Sequence, residues 1–454
     1  MTNPAAAAQK HTIDMTEGPI WRLLVVFALP LLLGNLFQQL YNTVDSIILG
    51  NFVGKEALAA VGSTTSLCNT LLNFFNGVSI GTGVVISHYF GAKDEEGLHS
   101  AVETAVLSSL IIGLAVSVAA VPFVPLMLDL VSTPADIIGP AGTYLRIYFM
   151  GVIFLFMYNM GGCILRAVGD TRRPLLFLIF SSGLNIVLDL LFVVGLKRGI
   201  AGAVVATVLS EAVSAVLVCA TLMRSREVCR LTLRDLHINA PVFRRILAVG
   251  LPVGVQQSLT AFSNAFVQSY INRFDSTPIV AGWSTHMKVD PITILPAQSI
   301  GQATTTFVSQ NLGAGKPDRA GKGFQISLLM GIGVLLVISG VMFPSAEWIA
   351  SLFNREPDVV RYGTMFITMM VPFRFTTAIF QCCAGAMRGA GDSRGPMLIM
   401  LFSFVAVRQV YLLIITQFFN DVFLVAFAYP IGWIVCALLN WLYYYFKNRQ
   451  RASK

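Results

Sequence analysis

In the first half of this 454-residue chain three carboxylates stand out inside long apolar runs: Asp45 in VDSIILG, Asp189 in LNIVLD and Glu211 in VLSEAV. A carboxylate at the centre of a bilayer costs about 2.5–3.5 kcal/mol on insertion scales, so each needs a partner or a task. Asp45 lies a turn and a half before the outer end of the first run, near Gly50, and Asp189 lies at a similar depth below Gly195 at the end of the fifth. Thr207 reaches that level from the opposite direction on the sixth run, and Asn185, four residues before Asp189, shares its helical face one turn deeper. Tyr144, just inside the fourth run, supplies a phenol nearby. Two carboxylates in one low-dielectric pocket do not both stay ionised cheaply, so a proton or a small hard cation must join them. The expectation is a coupling-ion pocket.

The elements that must position these groups are membrane-spanning helices. At 55% apolar and 12% charged residues the chain carries about half the charge of an average soluble domain, roughly 25%. A window of about 20 residues finds apolar stretches at 20–48, 57–87, 101–121, 141–164, 175–195, 200–223, 245–271, 279–308, 324–343, 360–386, 397–417 and 422–446. The predicted fold is all-α and integral to the membrane, with twelve transmembrane helices. The predicted order is a tail at 1–19, a first lobe at 20–223, a linker at 224–244, a second lobe at 245–446 and a tail at 447–454. Residues 1–19 are polar and lead into a run too long for a signal-peptide core, so the first span is expected to stay in the protein.

The two lobes are repeats. Arg166 to Pro174 reads RAVGDTRRP and Arg388 to Pro396 reads RGAGDSRGP, 222 residues apart, and the same offset carries Pro30 onto Pro252, Gly91-Ala92 onto Gly313-Ala314 and Pro122 onto Pro344. Duplication inside an apolar chain points to a transporter whose halves move about a shared cleft. With the amino terminus in the cytoplasm, 21 of the 31 Lys and Arg fall inside and 6 outside, which places both termini in the cytoplasm. The net charge of +8 is thereby topogenic and gives no sign of nucleic-acid binding. In the nonapeptides Gly permits the turn and Pro starts the next helix. A sharper reading makes Arg166, Asp170, Arg388 and Asp392 a cytoplasmic latch. Seven cysteines, mostly within spans and including Cys229 in the linker, read as packing residues.

The ordered set VDSIILG at 44–50, GAKD at 91–94, the two nonapeptides and LNIVLD at 184–189 resembles the multidrug and toxic compound extrusion (MATE) family over essentially the whole chain, from about Gly18 to Phe446. The resemblance implies a V-shaped pair of six-helix lobes that exports organic cations in exchange for sodium or protons. It implies that Asp45, Asn185, Asp189 and Thr207 form the coupling site, with Tyr144 and Asn159 in the surrounding network, and that the first helix bends at Pro30. The branch similar to bacterial sodium-coupled extruders carries acids in spans seven and ten. This chain has Gln256, Gln257 and Thr260 in the one and Thr376, Thr377 and Gln381 in the other, which argues against coupling through the second lobe.

Within the second half Lys288 and Asp290 are expected to pair with each other, while Arg374 and Arg408 neutralise carboxylates or line a wet cavity. Broad recognition of flat cations is served by adaptable apolar walls with a few acceptors, for which Gln38, Tyr41, Asn73, Gln256, Gln257, Asn264, Lys288 and Asp290 are the candidates. A lipid-linked sugar flippase shares the duplicated plan, but would carry further spans and a cationic central cavity. The five histidines have no metal-ligand spacing and no nucleophile motif occurs, so neither an enzyme, a metal site nor a cofactor is expected. The expected setting is the bacterial inner membrane, where the chain acts as a monomer with the lipid bilayer and small organic cations as its only partners.

Overall fold

A computed structural model describes residues 12–131, 133–224, 231 and 236–452. Cys229 and five of the 21 basic residues counted as inside, Lys10, Arg226, Arg230, Arg234 and Lys454, lie outside the described residues. All the regular structure among the described residues is helical. The first repeat comprises α1 (Ile20–Phe52), α2 (Lys55–Gly91), α3 (Glu95–Leu130), α4 (Ile138–Ala167), α5 (Arg172–Asp189), which continues as a π turn at Leu190–Gly195, and α6 (Gly199–Arg224). The second comprises α7 (Ala240–Asn272), α8 (Thr277–Gly313), α9 (Pro317–Met342), the short α10 (Ala346–Ser351), α11 (Pro357–Met370) and α12 (Phe375–Gly389). It closes with α13 (Arg394–Leu401), a π turn at Phe402–Val407, α14 (Arg408–Phe418), α15 (Val422–Ala426) and α16 (Ala428–Ala452).

Among the described residues ten helices are long and apolar enough to cross a membrane, and the pair Pro357–Phe373 and Phe375–Gly389, bent by 49°, makes an eleventh. The place of the twelfth span belongs to α8. At 37 residues it is long enough, but His286, Lys288, Asp290 and a carboxyl-terminal half rich in Ser, Thr and Gln keep it off the apolar tally. The bend in the eleventh falls at a 3₁₀ turn, Val371–Phe373, which contains Pro372 and is followed by Arg374.

The repeated loops fold alike because their special backbone positions repeat. Gly169 and Gly391, equivalent in the two nonapeptides, both take positive φ, at 93° and 83°. The following aspartates cap the next helix. Asp170 accepts from the Arg172 and Arg173 amides and pairs with the Arg173 guanidinium at 3.2 Å. Asp392 accepts from the Gly395 amide at 3.2 Å and the Tyr443 hydroxyl at 2.9 Å, and pairs with Lys447. These aspartates therefore hold partners in their own turn and unit, while Arg388 is buried with its Nε unpaired.

The chain forms two compact units, one of residues 1–15 and 33–251, the other of residues 16–32 and 252–454. The boundaries drawn from hydropathy differ from these at three places. Residues 12–19 are no loose tail: Met15 is fully buried, the Ile13 backbone lies against Gly169, and Lys316 and Arg319 donate to the Thr16 and Gly18 carbonyls. The stretch 224–244 is not all linker, because Asn239 accepts from the Val242 amide and starts α7 at Ala240. Finally, the first third of α1, including Pro30, clusters with the second unit. α1 is one continuous helix through Pro30.

Candidate ion pocket and buried charges

In the first unit α4 is the central post. Glycines on it let α6 approach closely: a Cβ at Gly151 would fall 2.4 Å from Val208, and one at Gly161 would fall 2.0 Å from Val218. This contact fixes the depth of Thr207, next to Val208, against Tyr144 and Tyr148 on α4, whose rings stack with centroids 6.0 Å apart. Asp189 is the last α-helical residue before the π turn of α5 and has no exposed surface.

The expected group assembles. The Asp45 and Asp189 carboxyls face each other within hydrogen-bonding range, and each has one buried oxygen, Oδ1, with no hydrogen-bond partner. Asn185 is buried one turn from Asp189. With its amide turned to satisfy both ends, it donates to Asp189 Oδ2 at 2.8 Å and accepts from the Thr207 amide at 3.2 Å. The Thr207 hydroxyl returns a bond to the Ala203 carbonyl at 3.2 Å. Tyr41, proposed above for substrate, reaches Thr207 and lies within Coulomb range of both aspartates, as Tyr144 does of Asp45.

Asn159 is not part of this group. About 22 Å of helix rise separates it from Tyr144, and it lines a separate small cavity with Phe75, Ser108, Ser109 and Phe243. Glu211, noted as a mid-span acid but not assigned to the pocket, is near Tyr41, Tyr144, Tyr148 and Cys68. Its spacing of four residues from Thr207 carries that signal, since both then share a face of α6. Glu103, which drew no attention in the sequence, has no exposed surface and lies between His99 at 2.9 Å and His237 at 3.1 Å.

The second unit arranges its charges differently from the expectation. Lys288 and Asp290 do not pair, because residues two apart point to nearly opposite sides of a helix. Lys288 is exposed, with its ammonium 5.7 Å from the Phe353 ring centre, and Asp290 pairs with Arg374 from the helix bend, with His286 3.5 Å away. Arg374 also lies 4.5 Å from the Trp433 ring centre. Arg408 neutralises no carboxylate among the described residues. It binds Ser263 and Asn264 instead, so that Asn264 is already engaged. Of the other substrate candidates, Gln256 is buried with an unpaired Oε1, Gln257 and Asn73 are half-buried, and Gln38 is exposed.

The MatE family profile matches residues 30–191 and again 252–414. The chain belongs to the MatE family. The second match is one residue longer than the first, in keeping with a duplicated unit that has gained a residue. Among MatE relatives, the chain is similar to the probable multidrug resistance protein YpnP of Bacillus subtilis, at 29% identity over 87% of this chain and 88% of that one. It is similar also to the multidrug export protein MepA of Staphylococcus haemolyticus, at 21% identity over 96% of each. A crystal structure described as MATE in the straight conformation superimposes with a TM-score of 0.90 over 97% of this chain and 99% of that one, at 24% identity, which establishes the MatE fold. The protein is thus a multi-pass membrane transporter of this family.

Proposed function

We propose that this MatE protein is a secondary active multidrug exporter, and that it expels organic cations in exchange for protons or sodium ions that enter at the Asp45/Asp189 pocket. The observation that carries the reading is the pair of facing carboxyls, Asp189 fully buried and Asp45 half-buried, each with one enclosed and unbonded oxygen. Two negative charges about 4 Å apart repel by about 4 kcal/mol at an effective dielectric of about 20. A cation between them removes that repulsion, the Thr207 hydroxyl and Tyr41 phenol add further oxygens suited to a proton or sodium, and the Asn185 amide orients Asp189 by donating to its Oδ2. Tyr41 touches Thr207, so substrate and ion share a wall, and filling one site changes the other.

The names of the relatives support export of drugs, and the Lys and Arg asymmetry supports a bacterial inner-membrane protein with both termini cytoplasmic. In the reaction cycle the ion binds from outside, the pocket loses its negative charge, and a cationic substrate loses the field that held it. The substrate then leaves outward, and release of the ion inside restores the field. The test is transport of a panel of organic cations in proteoliposomes with sodium and pH gradients imposed separately. Accumulation driven by one gradient and abolished in both Asp45→Asn and Asp189→Asn is expected. Gradient-independent, non-saturable flux would show a channel and end this reading.

A further inference from the structure

Arg408 is only 2% exposed in the middle of the span Arg394–Phe418, and among the described residues no carboxylate pairs with it. A buried charge in such a place requires compensation. Its guanidinium instead collects neutral oxygens: Nε donates to the Phe404 carbonyl at 3.1 Å, and Nη2 donates to Ser263 Oγ at 2.6 Å and to Asn264 Oδ1 at 2.9 Å. The face of Tyr429 lies 4.8 Å away. A carbonyl, a hydroxyl and an amide oxygen are the hard donors that a small cation such as sodium takes.

The repeat gives this cluster its meaning. Ser263 and Asn264 stand 222 residues after Tyr41 and Asn42, and Tyr429 stands 222 after Thr207. The π turn at Phe402–Val407 is where the extra residue of the second repeat fits, since it widens the helix just ahead of Arg408. Counting that residue, Arg408 takes the place of Asn185. The two acids are gone: Val267 stands for Asp45 and Leu412 for Asp189. The pocket of the first repeat and the Arg408 cluster of the second are therefore the same place in the fold with opposite charge.

We propose that Arg408 is a tethered cation, which fills in the second repeat the place that the exchanged ion takes in the first and holds that unit permanently in its cation-occupied form. The proposal rests on the ion-pocket reading of the first repeat. A free ion needs carboxylates to offset its desolvation and lost freedom, whereas a charge fixed to the chain gives up no translational entropy on binding, so neutral oxygens suffice. A guanidinium also keeps its proton throughout the physiological pH range, so this pocket does not discharge during the cycle. The consequence is a transporter with one cycling ion site instead of two.

The test is thermal unfolding of the purified full-length protein carrying Asp45→Asn and Asp189→Asn, so that the first pocket contributes no ion response. Sodium chloride is exchanged for choline chloride at constant ionic strength, and guanidinium is added at low concentration in a parallel series. With Arg408 or Arg408→Lys the melting temperature is expected to ignore both ions. With Arg408→Ala it is expected to rise with sodium or guanidinium over about a hundredfold range of concentration, as a vacated site refills. Indifference of Arg408→Ala to both ions overturns the proposal. If that variant does not fold, transport by Arg408→Met, which keeps the volume, is compared with Arg408→Lys in the otherwise native chain. Loss in the methionine variant with retention in the lysine variant supports the tethered charge, and full activity in the methionine variant refutes it. Failure of the ion-pocket reading is seen separately, as gradient-driven transport that persists in the Asp45→Asn/Asp189→Asn protein with Arg408 intact.

Discussion

Replacing Asp189 with Asn removes one negative charge from the pocket while keeping its shape and one acceptor. Asp189 has no exposed surface and Asn185 already donates to its Oδ2, so little water is available to take over the lost interaction. A cation held about 4 Å from the carboxylate loses about 4 kcal/mol of attraction at an effective dielectric of about 20. At about 1.4 kcal/mol per decade this is a fall of roughly a thousandfold in ion affinity. The assay is the concentration of sodium, or of protons, that gives half-maximal substrate exchange in proteoliposomes. The expected result is a shift of about three decades, beyond the working range, so that uphill transport stops while downhill exchange of labelled for unlabelled substrate continues. An ion dependence displaced by less than about one decade would mean that the carboxylate is not in contact with the ion, and the pocket argument would fail.

Three further outcomes are expected. Gly151→Ala and Gly161→Ala drive a methyl group to 2.4 and 2.0 Å from Val208 and Val218 and should each cost about 1–3 kcal/mol in detergent unfolding, whereas Gly183→Ala, with open space around it, should be neutral or slightly stabilising. Arg374→Met leaves the half-buried Asp290 without its guanidinium and should destabilise by about 1–3 kcal/mol, and adding Asp290→Leu should recover part of that loss, as a thermal double-mutant cycle would show. Burial pushes the Asp392 carboxyl up, but bonds from Lys447, the Gly395 amide and Tyr443 outweigh it and hold the group below the usual carboxylate range. A lowered value in the folded state stabilises above the unfolded pKa and is lost as pH falls through the folded one, so Asp392→Asn should flatten the acid side of the stability curve below about pH 4. An unchanged acid limb would remove Asp392 from that account.

What the sequence makes legible here is what repeats or what breaks an apolar run. The nonapeptides expose the duplication, and Asp45, Asn185, Asp189 and Thr207 announce themselves because helix rise alone sets their depths. Contacts that join distant helices are less visible. Lys288 and Asp290 look like partners in a linear string, yet the helix turns them apart, and the cation that meets Asp290 comes from Arg374, 84 residues away at a bend no hydropathy window detects. Asn159 fails for the converse reason: it is near Tyr144 in the chain but four turns down the same helix. The span count blurs at α8, where buried Thr285, Thr293, Thr304, Thr305 and Asn311 donate to carbonyls about one turn back on their own helix and so escape a scale that measures transfer from water to lipid.

The π turn directly after Asp189 sets where the first unit can give way. On one side of it, the bare glycine faces of α4 hold α6 with no side chain left to compress, so Thr207 behaves as a fixed stop. On the other, the widened turn at Leu190–Gly195 is a compliant joint whose hydrogen bonds can shift register by one residue at small cost. Charge arriving between the two acids therefore finds a stiff wall and a soft one. If the pair takes the exchanged ion as proposed, the displacement would run along α5, making that helix the lever of the movement.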